Sequence, residues 1–327
     1  MSNKISKIGV FTSGGDAPGM NAAIRAVVRA CTYYKTECVG IMRGYEGMIE
    51  GDFEQLDARW VGNILQRGGT VLKSARSKEF RTPEGRLKAL GKLRSEGIDS
   101  LIAIGGDGTF TGLHKFHQEF GIPSICIPGT IDNDLSGTDY TIGYDTATNT
   151  AVEAIDKIRD TALSHNRLFF IEVMGRHSGY IAINSGIAGG AAAIVIPEET
   201  MSFEELYKIL GEGEETSKKS NLVVVAEGSK IGDAHTLAKK VAERSSYFDI
   251  KVTVLGHLQR GGAPTYFDRV LASRMGIAAV EGLLNGKSDV MVGIKDNKIV
   301  YNNFDIIMQN HHEIDEESMR IAKILSI

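Results

Sequence analysis

"SLIAIGGDGTF", Ser100–Phe110, is the stretch from which the rest of the chain can be read. Leu101–Ile104 is continuously apolar, where a strand with one wet face would alternate. A strand of that kind is buried on both faces, which places it in a parallel sheet covered by helices. The run stops at Gly105–Thr109 (GGDGT), whose glycines permit a tight turn out of the strand. The same order returns along the chain: Ile8–Thr12 before SGGDAPG, Ile125–Ile127 before PGTIDND, Leu168–Val173 before MGRHSG, Leu222–Ala226 before EGS, and Val252–Leu255 before GHLQRGG. Helical patterns fill the gaps. They are Met20–Ala30, Pro83–Glu96 ending at Gly97, Thr146–His165 with Ala151, Ile155 and Ile158 on one stripe, and a helix opened by the capping box Ser202–Glu205 (SFEE). Strand–helix alternation throughout predicts a doubly wound α/β protein with mainly parallel sheets.

The bulk numbers narrow the function classes. At 327 residues the chain is long enough for two domains. A net charge of −4 offers no basic surface for nucleic acid or anionic membrane. The longest small-apolar run, Gly186–Ile196, falls well short of the roughly 20 residues a membrane span needs. MSNKISKIGV has no apolar core of a signal peptide, and Cys31, Cys38 and Cys126 show no metal or disulfide spacing. A reducing cytoplasm is the expected location. With 38 glycines against 6 prolines, spread along the chain, many tight strand-to-helix turns are expected.

The polar motifs all fall at the carboxyl ends of strands, where open parallel sheets bind ligands. Thr12–Asn21 (TSGGDAPGMN) opens a helix, whose unpaired N–H groups attract anions; the alternative is a tight turn with Asp16 as helix cap. In GGDGT, Asp107 is a hard oxygen ligand beside phosphate-type backbone, suited to Mg²⁺, or else a helix cap. GGDGT also occurs in NAD kinases and lipid kinases, so it signals phosphoryl chemistry without naming a substrate. In PGTIDND, an isolated Asp132 would read as an Asx-turn. Two phosphate-type loops on the same sheet edge turn that reading toward a carboxylate that takes the proton of an acceptor hydroxyl, with Asp134 in support. Arg76 follows GGTVLKSA, and Arg176, His177, His257 and Arg260 follow buried strands beside glycines, where Arg suits bidentate phosphate contact. Glu227 is either a sugar-hydroxyl partner or a capping carboxylate.

Read in order, TSGGDAPGMNAAIR, IGGDGT, PGTIDND, VMGR and GHLQRGG resemble the phosphofructokinase family over nearly the whole chain, and within it the bacterial ATP-dependent branch. The resemblance implies two α/β domains: 1–142 with 261–305 binding ATP, and 143–260 with 306–327 binding sugar phosphate. It implies a cytoplasmic glycolytic homotetramer with sites shared between subunits. The reaction implied moves the γ-phosphoryl of ATP to the 1-hydroxyl of fructose 6-phosphate, with Mg²⁺. Matching residue by residue, Asp132 is the general base flanked by Thr130, and Arg176 stabilises charge on the transferred group. Gly15, Arg76, Ser77, Gly106, Asp107, Gly108 and Thr109 form the ATP site, with Asp107 on the metal. Thr130, Ile131, Asp132, Met174, Gly175, Arg176, Glu227, His257, Leu258, Gln259 and Arg260 form the sugar-phosphate site. Arg167 and Lys251 reach the neighbouring subunit's sugar phosphate, with Lys251 standing where Arg is usual.

The pyrophosphate-using branch typically carries Asp at Gly108 and Lys at Gly129, so two glycines there imply ATP. An aromatic usually stands at Asp145. Arg25, Arg29, Arg59, Arg159, Gly190 and Lys218 match an ADP-type effector site, but Ala192, Thr216 and Ser220 replace the usual Glu, Lys and His, so weak or absent ADP activation is expected. The competing readings are a pyrophosphate-dependent enzyme and a non-catalytic nucleotide-sensing paralogue.

Overall fold

The computed structural model describes residues 5–165, 167–199, 201–215, 222–307 and 314–325. The chain divides into two compact units. The first takes the described residues up to Ile131, Leu135–Asp145, and those from Arg260 to 307; the second takes Asp132–Asp134, Thr146–Gln259 and 314–325.

In chain order the first unit holds β1 (Lys7–Thr12), α1 (Met20–Tyr33), β2 (Glu37–Ile41), α2 (Tyr45–Glu50), β3 (Phe53–Leu56), α3 (Pro83–Glu96), β4 (Ser100–Gly105), α4 (Asp107–Phe120) and β5 (Ser124–Pro128). The long helix α5 (Tyr144–His165) starts in this unit and continues in the second. There follow β6 (Arg167–Val173), α6 (Tyr180–Ala188), β7 (Ala193–Val195), α7 (Phe203–Glu215), β8 (Leu222–Ala226), α8 (Ala234–Arg244) and β9 (Asp249–Val254). The chain then returns to the first unit for α9 (Tyr266–Leu284), β10 (Val290–Lys295), β11 (Lys298–Asn303) and α10 (Phe304–Ile307), and α11 (Glu316–Leu325) belongs to the second.

The first unit is a seven-stranded sheet ordered β11-β10-β5-β4-β1-β2-β3, parallel except for the edge strands β3 and β11. Its central strands are buried on both faces because alternate residues feed two layers. Phe11, Leu101, Ala103 and Cys126 join a cluster with Tyr45, Phe80, Leu90, Phe110 and Phe116. Ile125, on the opposite side of β5 from Cys126, meets α9 at Gly282. Gly276 of α9 lies against Ala26 of α1, where an added Cβ would come within 2.6 Å of that methyl, so this helix pair packs at backbone distance. The second unit is a parallel sheet ordered β7-β8-β6-β9, whose core includes Leu168, Phe170, Leu206, Val223 and Val241.

Local signals account for the helix ends. Thr82 caps α3 by accepting from the Gly85 N–H, Pro83 takes the first helical position, and Gly97 closes the helix at φ 75°. The SFEE box forms reciprocally: Ser202 Oγ accepts from Glu205 N–H and Glu205 Oε2 accepts from Ser202 N–H. One strand departs from expectation. Val252–Leu255 reads as a buried strand, but β9 lies at a sheet edge and its burial alternates, with Val254 48% exposed. The sequence reading also passed over β2, β3, β7, β10 and β11, which are short, polar or without a glycine-rich loop at their ends. No described helix is long and apolar enough to cross a membrane.

Candidate active site

The winding of the large sheet reverses at β1. β2 pairs on one side of it and β4 enters on the other. In open parallel sheets the crevice outside the strand ends at such a reversal is the usual ligand site. Both glycine loops meet there. Ser13 N–H donates to the Ile104 carbonyl at 3.1 Å, and Thr109 Oγ1 donates to the Ser13 carbonyl at 3.1 Å. A Cβ on Gly105 would fall 2.6 Å from that same Ser13 oxygen, so only glycine lets the loops touch. Gly14, at φ 85°, turns the first loop in a region that disfavours side chains.

Neither acid caps its helix. The residue before α1 is Gly19, at φ 108°, and the one before α4 is Gly106; neither N-cap makes a side-chain bond, which corrects the capping alternatives for Asp16 and Asp107. Asp107 sits in the first turn of α4, exposed. Beside it Gly108 is exposed, and a Cβ there would meet no atom within 4 Å beyond its two neighbours and the backbone of its own helix. Gly15 is covered by Arg260, whose Nη1 would lie 2.6 Å from an added Cβ and donates to the Asp16 carbonyl at 3.0 Å. Ser74 Oγ donates to the Gly14 carbonyl, which draws the segment ahead of exposed Arg76 and half-buried Ser77 to the same loop.

The third loop leaves β5, next to β4. Gly129 N–H donates to the Gly105 carbonyl at 2.9 Å, and a Cβ on Gly129 would lie 3.0 Å from Ile104 Cγ2, so this glycine is fixed by core packing. Thr130 stands beside Gly106, its Cβ 3.6 Å from where that residue's Cβ would be, and its carbonyl accepts from Thr141 Oγ1 at 2.6 Å. Ile131 is fully buried, and Asp132 follows at 8% exposure. Among the described residues no three His, Cys, Asp or Glu side chains form a metal cluster. A single exposed carboxylate beside phosphate-type backbone suits Mg²⁺, which keeps several waters and takes the rest of its ligands from phosphates.

In the second unit the loop after β6 is strained. Gly175 has φ 141° and Arg176, a non-glycine, has φ 57°. Glu227 Oε1 accepts from the Arg176 N–H at 2.7 Å, so the capping alternative for this carboxylate is realised on a backbone amide. Gly228 lies so close that a Cβ would meet the Arg176 carbonyl at 2.0 Å. Met174 is buried and Arg176 is exposed. His257 and Leu258 are exposed on a short 3₁₀ turn, whereas Gln259 is wholly buried, with Nε2 on the Gly256 carbonyl. The Gln259 side chain is turned inward and braces the turn that presents His257 and Leu258.

A phosphofructokinase family model matches residues 7–283. An ATP-dependent 6-phosphofructokinase of Cytophaga hutchinsonii is 54% identical over 322 residues, 98% of both chains. ATP-dependent 6-phosphofructokinase 1 of Thermus thermophilus is 53% identical, covering 99% of this chain and all of its own. The solved structure of phosphofructokinase from Saccharomyces cerevisiae superposes with a TM-score of 0.89 at 36% identity; it covers 98% of this chain, which spans only 46% of the yeast chain. The chain belongs to the phosphofructokinase family.

Other residues singled out by the family pattern divide by unit. Arg167 and Lys251 share Asp249, at 2.9 and 2.7 Å, at the starting ends of β6 and β9. Met174 and Arg176 lie beyond the far end of the 7-residue β6, about 20 Å away at about 3.3 Å per residue. Arg25 and Arg29 are neighbours on α1, where burial and then the Arg29 charge lower the Arg25 pKa. Arg159 lies against Gly190, its Nη2 3.2 Å from where a Cβ would be. Arg59 is exposed, with its backbone N–H on Asp57. Ala192 is buried. Lys218, Thr216 and Ser220 lie outside the described residues.

Sequence reasoning missed several supports of the site. Tyr45 stacks on Phe80 and donates its hydroxyl to the Thr109 carbonyl at 2.5 Å, bracing the first turn of α4. Asp145, unexplained from sequence, accepts from Thr265 Oγ1 at 2.5 Å; Thr265 in turn caps α9, and buried Asp268 holds the Gly143 N–H. The signal for that cap was present as T-x-x-D at Thr265–Asp268.

Proposed function

We propose that this phosphofructokinase transfers the γ-phosphoryl group of ATP to the 1-hydroxyl of fructose 6-phosphate, giving fructose 1,6-bisphosphate and ADP. The observation that carries this reading is the convergence of the Ser13–Asp16, Gly105–Thr109 and Gly129–Thr130 segments at the winding reversal, with Asp132 two residues beyond Thr130 in the chain. The names of close full-length relatives support it.

The glycine loops and the amino end of α4 would cradle the nucleotide phosphates with Arg76 and Ser77, and Asp107 would hold Mg²⁺ among phosphate oxygens and water. The ion, when bound, neutralises charge on the nucleotide phosphates. Asp132 takes the hydroxyl proton and Thr130 orients the stretch that bears it. Arg176 meets the charge on the transferred group; Met174, Gly175, Glu227, His257, Leu258 and Arg260 bind the sugar phosphate.

Arg167 and Lys251 stand a whole strand length from Arg176, which supports their service to a neighbouring copy's site in a homotetramer. The buried free cysteines Cys31, Cys38 and Cys126 support a reducing cytoplasmic setting. Gly108, which no steric contact with the chain requires, supports a nucleotide over pyrophosphate as donor. The test is a coupled assay with fructose 6-phosphate and either ATP or pyrophosphate in parallel. Turnover with ATP alone is expected. Turnover with pyrophosphate alone reverses the donor, and nucleotide binding without turnover would make the chain a sensor.

A further inference from the structure

The loop that presents Arg176 is pinned at both ends by carboxylates from other elements. Glu227, after β8, accepts from the Arg176 N–H at 2.7 Å. At the far end Glu198, three residues beyond β7, accepts from the Gly179 N–H with Oε1 at 2.8 Å. Between them the Ser178 N–H closes back on the Gly175 carbonyl at 2.8 Å. Gly179 is the N-cap residue of α6 and makes no side-chain cap of its own; the Glu198 carboxylate accepts from its N–H, as the acid of a capping box does, and places negative charge at that helix end. The fit is close: a Cβ on Gly179 would lie 2.6 Å from Glu198 Oε2 and 2.6 Å from Ile196 Cβ. Burial, and then the Asp315 and Glu198 carboxylates, push the Tyr180 hydroxyl up to about 12.

An arginine held at φ 57° needs such support. A non-glycine residue there is less stable than in the extended or right-handed regions, because its Cβ crowds the carbonyl oxygen that follows. The strain persists only while the surroundings over-determine the loop. The next residue, Glu199, holds Lys323 of α11 at 2.8 Å, a separate contact at the surface.

We infer that Glu198 is a positioning residue for the phosphoryl-transfer reaction, acting through the Gly179 amide to fix the turn that carries Arg176. The inference rests on the reading of Arg176 given above. Turnover by the unaltered chain with ATP and fructose 6-phosphate checks that reading separately.

The experiment compares Glu198→Ala, Glu198→Gln and Glu199→Ala in the full chain by steady-state kinetics on both substrates, with Tm measured for each. Glu198→Ala is expected to lower kcat/KM for fructose 6-phosphate about tenfold, the scale of one lost charge-assisted hydrogen bond, while KM for ATP stays unchanged. Glu198→Gln keeps an acceptor oxygen and is expected to recover to within about threefold of the parent, on the scale of a neutral in place of a charged bond. Glu199→Ala cuts the Lys323 pair but leaves the cap, and its kinetics are expected to match the parent. Parental kinetics in Glu198→Ala would overturn the inference, as would equal losses in the Ala and Gln variants. If the Ala variant does not fold, Glu198→Asp, one methylene too short, takes its place; parental kinetics in it likewise overturn the inference.

Discussion

Replacing Gly108 with aspartate isolates what the nucleotide requires from what the fold requires. Gly108 lies in the first turn of α4, and apart from its two neighbours and the backbone of that helix no atom of the chain stands within 4 Å of where its Cβ would be. Its φ is not positive, so a side chain brings no backbone strain. Glycine inside a helix is less stable than alanine by about 1 kcal/mol, and an acid in the first turn gains about 0.3–1 kcal/mol from the helix dipole. Gly108→Asp is therefore expected to leave Tm unchanged or slightly raised. A bound nucleotide would experience it differently. A new carboxylate about 4 Å from a phosphate oxygen is opposed by about 4 kcal/mol at an effective dielectric of about 20, or about a thousandfold in kcat/KM for ATP. Fructose 6-phosphate binding, measured by calorimetry without nucleotide, should be untouched. Thermal denaturation, the coupled ATP assay and that titration together give the result. Parental ATP kinetics in a folded Gly108→Asp protein would refute the placing of the nucleotide beside α4.

Other outcomes follow from named contacts. Asp132→Asn is expected to reduce kcat by about a hundredfold or more with substrate KM values little changed, as removal of a general base does; near-parental turnover removes Asp132 from the mechanism. Glu119, itself partly exposed, holds the almost fully buried Arg86 through two bonds of 2.5 and 2.6 Å, so Glu119→Ala, which leaves Arg86 only the Phe80 and Arg81 carbonyls, should destabilise by about 1.5 kcal/mol in urea unfolding. The Arg86 side chain holds the Glu119 carboxyl below its usual range, so this stabilisation is full above the ordinary Glu pKa and is lost as pH falls through the lowered one; a parent and Glu119→Ala whose stability difference does not shrink toward acid pH would contradict it. Adding ADP should leave the half-saturating fructose 6-phosphate concentration unchanged, given Ala192; a several-fold drop would show that the effector site works without that carboxylate.

Much of this was legible in the sequence because its physical causes are local. Leu101–Ile104, Ile125–Ile127 and Leu222–Ala226 are apolar on both sides of the strand, and only a helix-covered parallel sheet buries both. Thr82-Pro83 and Gly97 fix α3 to the residue. Polar strands such as β3 and β11 carry no such signature, since an edge strand needs only backbone partners on one side.

The sequence by itself determined the alternation of strands and helices, the glycine loops at their carboxyl ends, and the family, because backbone freedom, side-chain periodicity and motif order are properties of neighbours in the chain. Only the tertiary structure decided which loops meet and what each acid holds. Glu227 and Glu198 clasp the two ends of the Arg176 turn from 51 and 19 residues away. Arg260 covers Gly15 from the opposite end of the chain, Gln259 turns inward, and Asp145 finds Thr265. Each of those outcomes is a competition for partners among groups distant in sequence, and strand order and packing, not local composition, choose the winner.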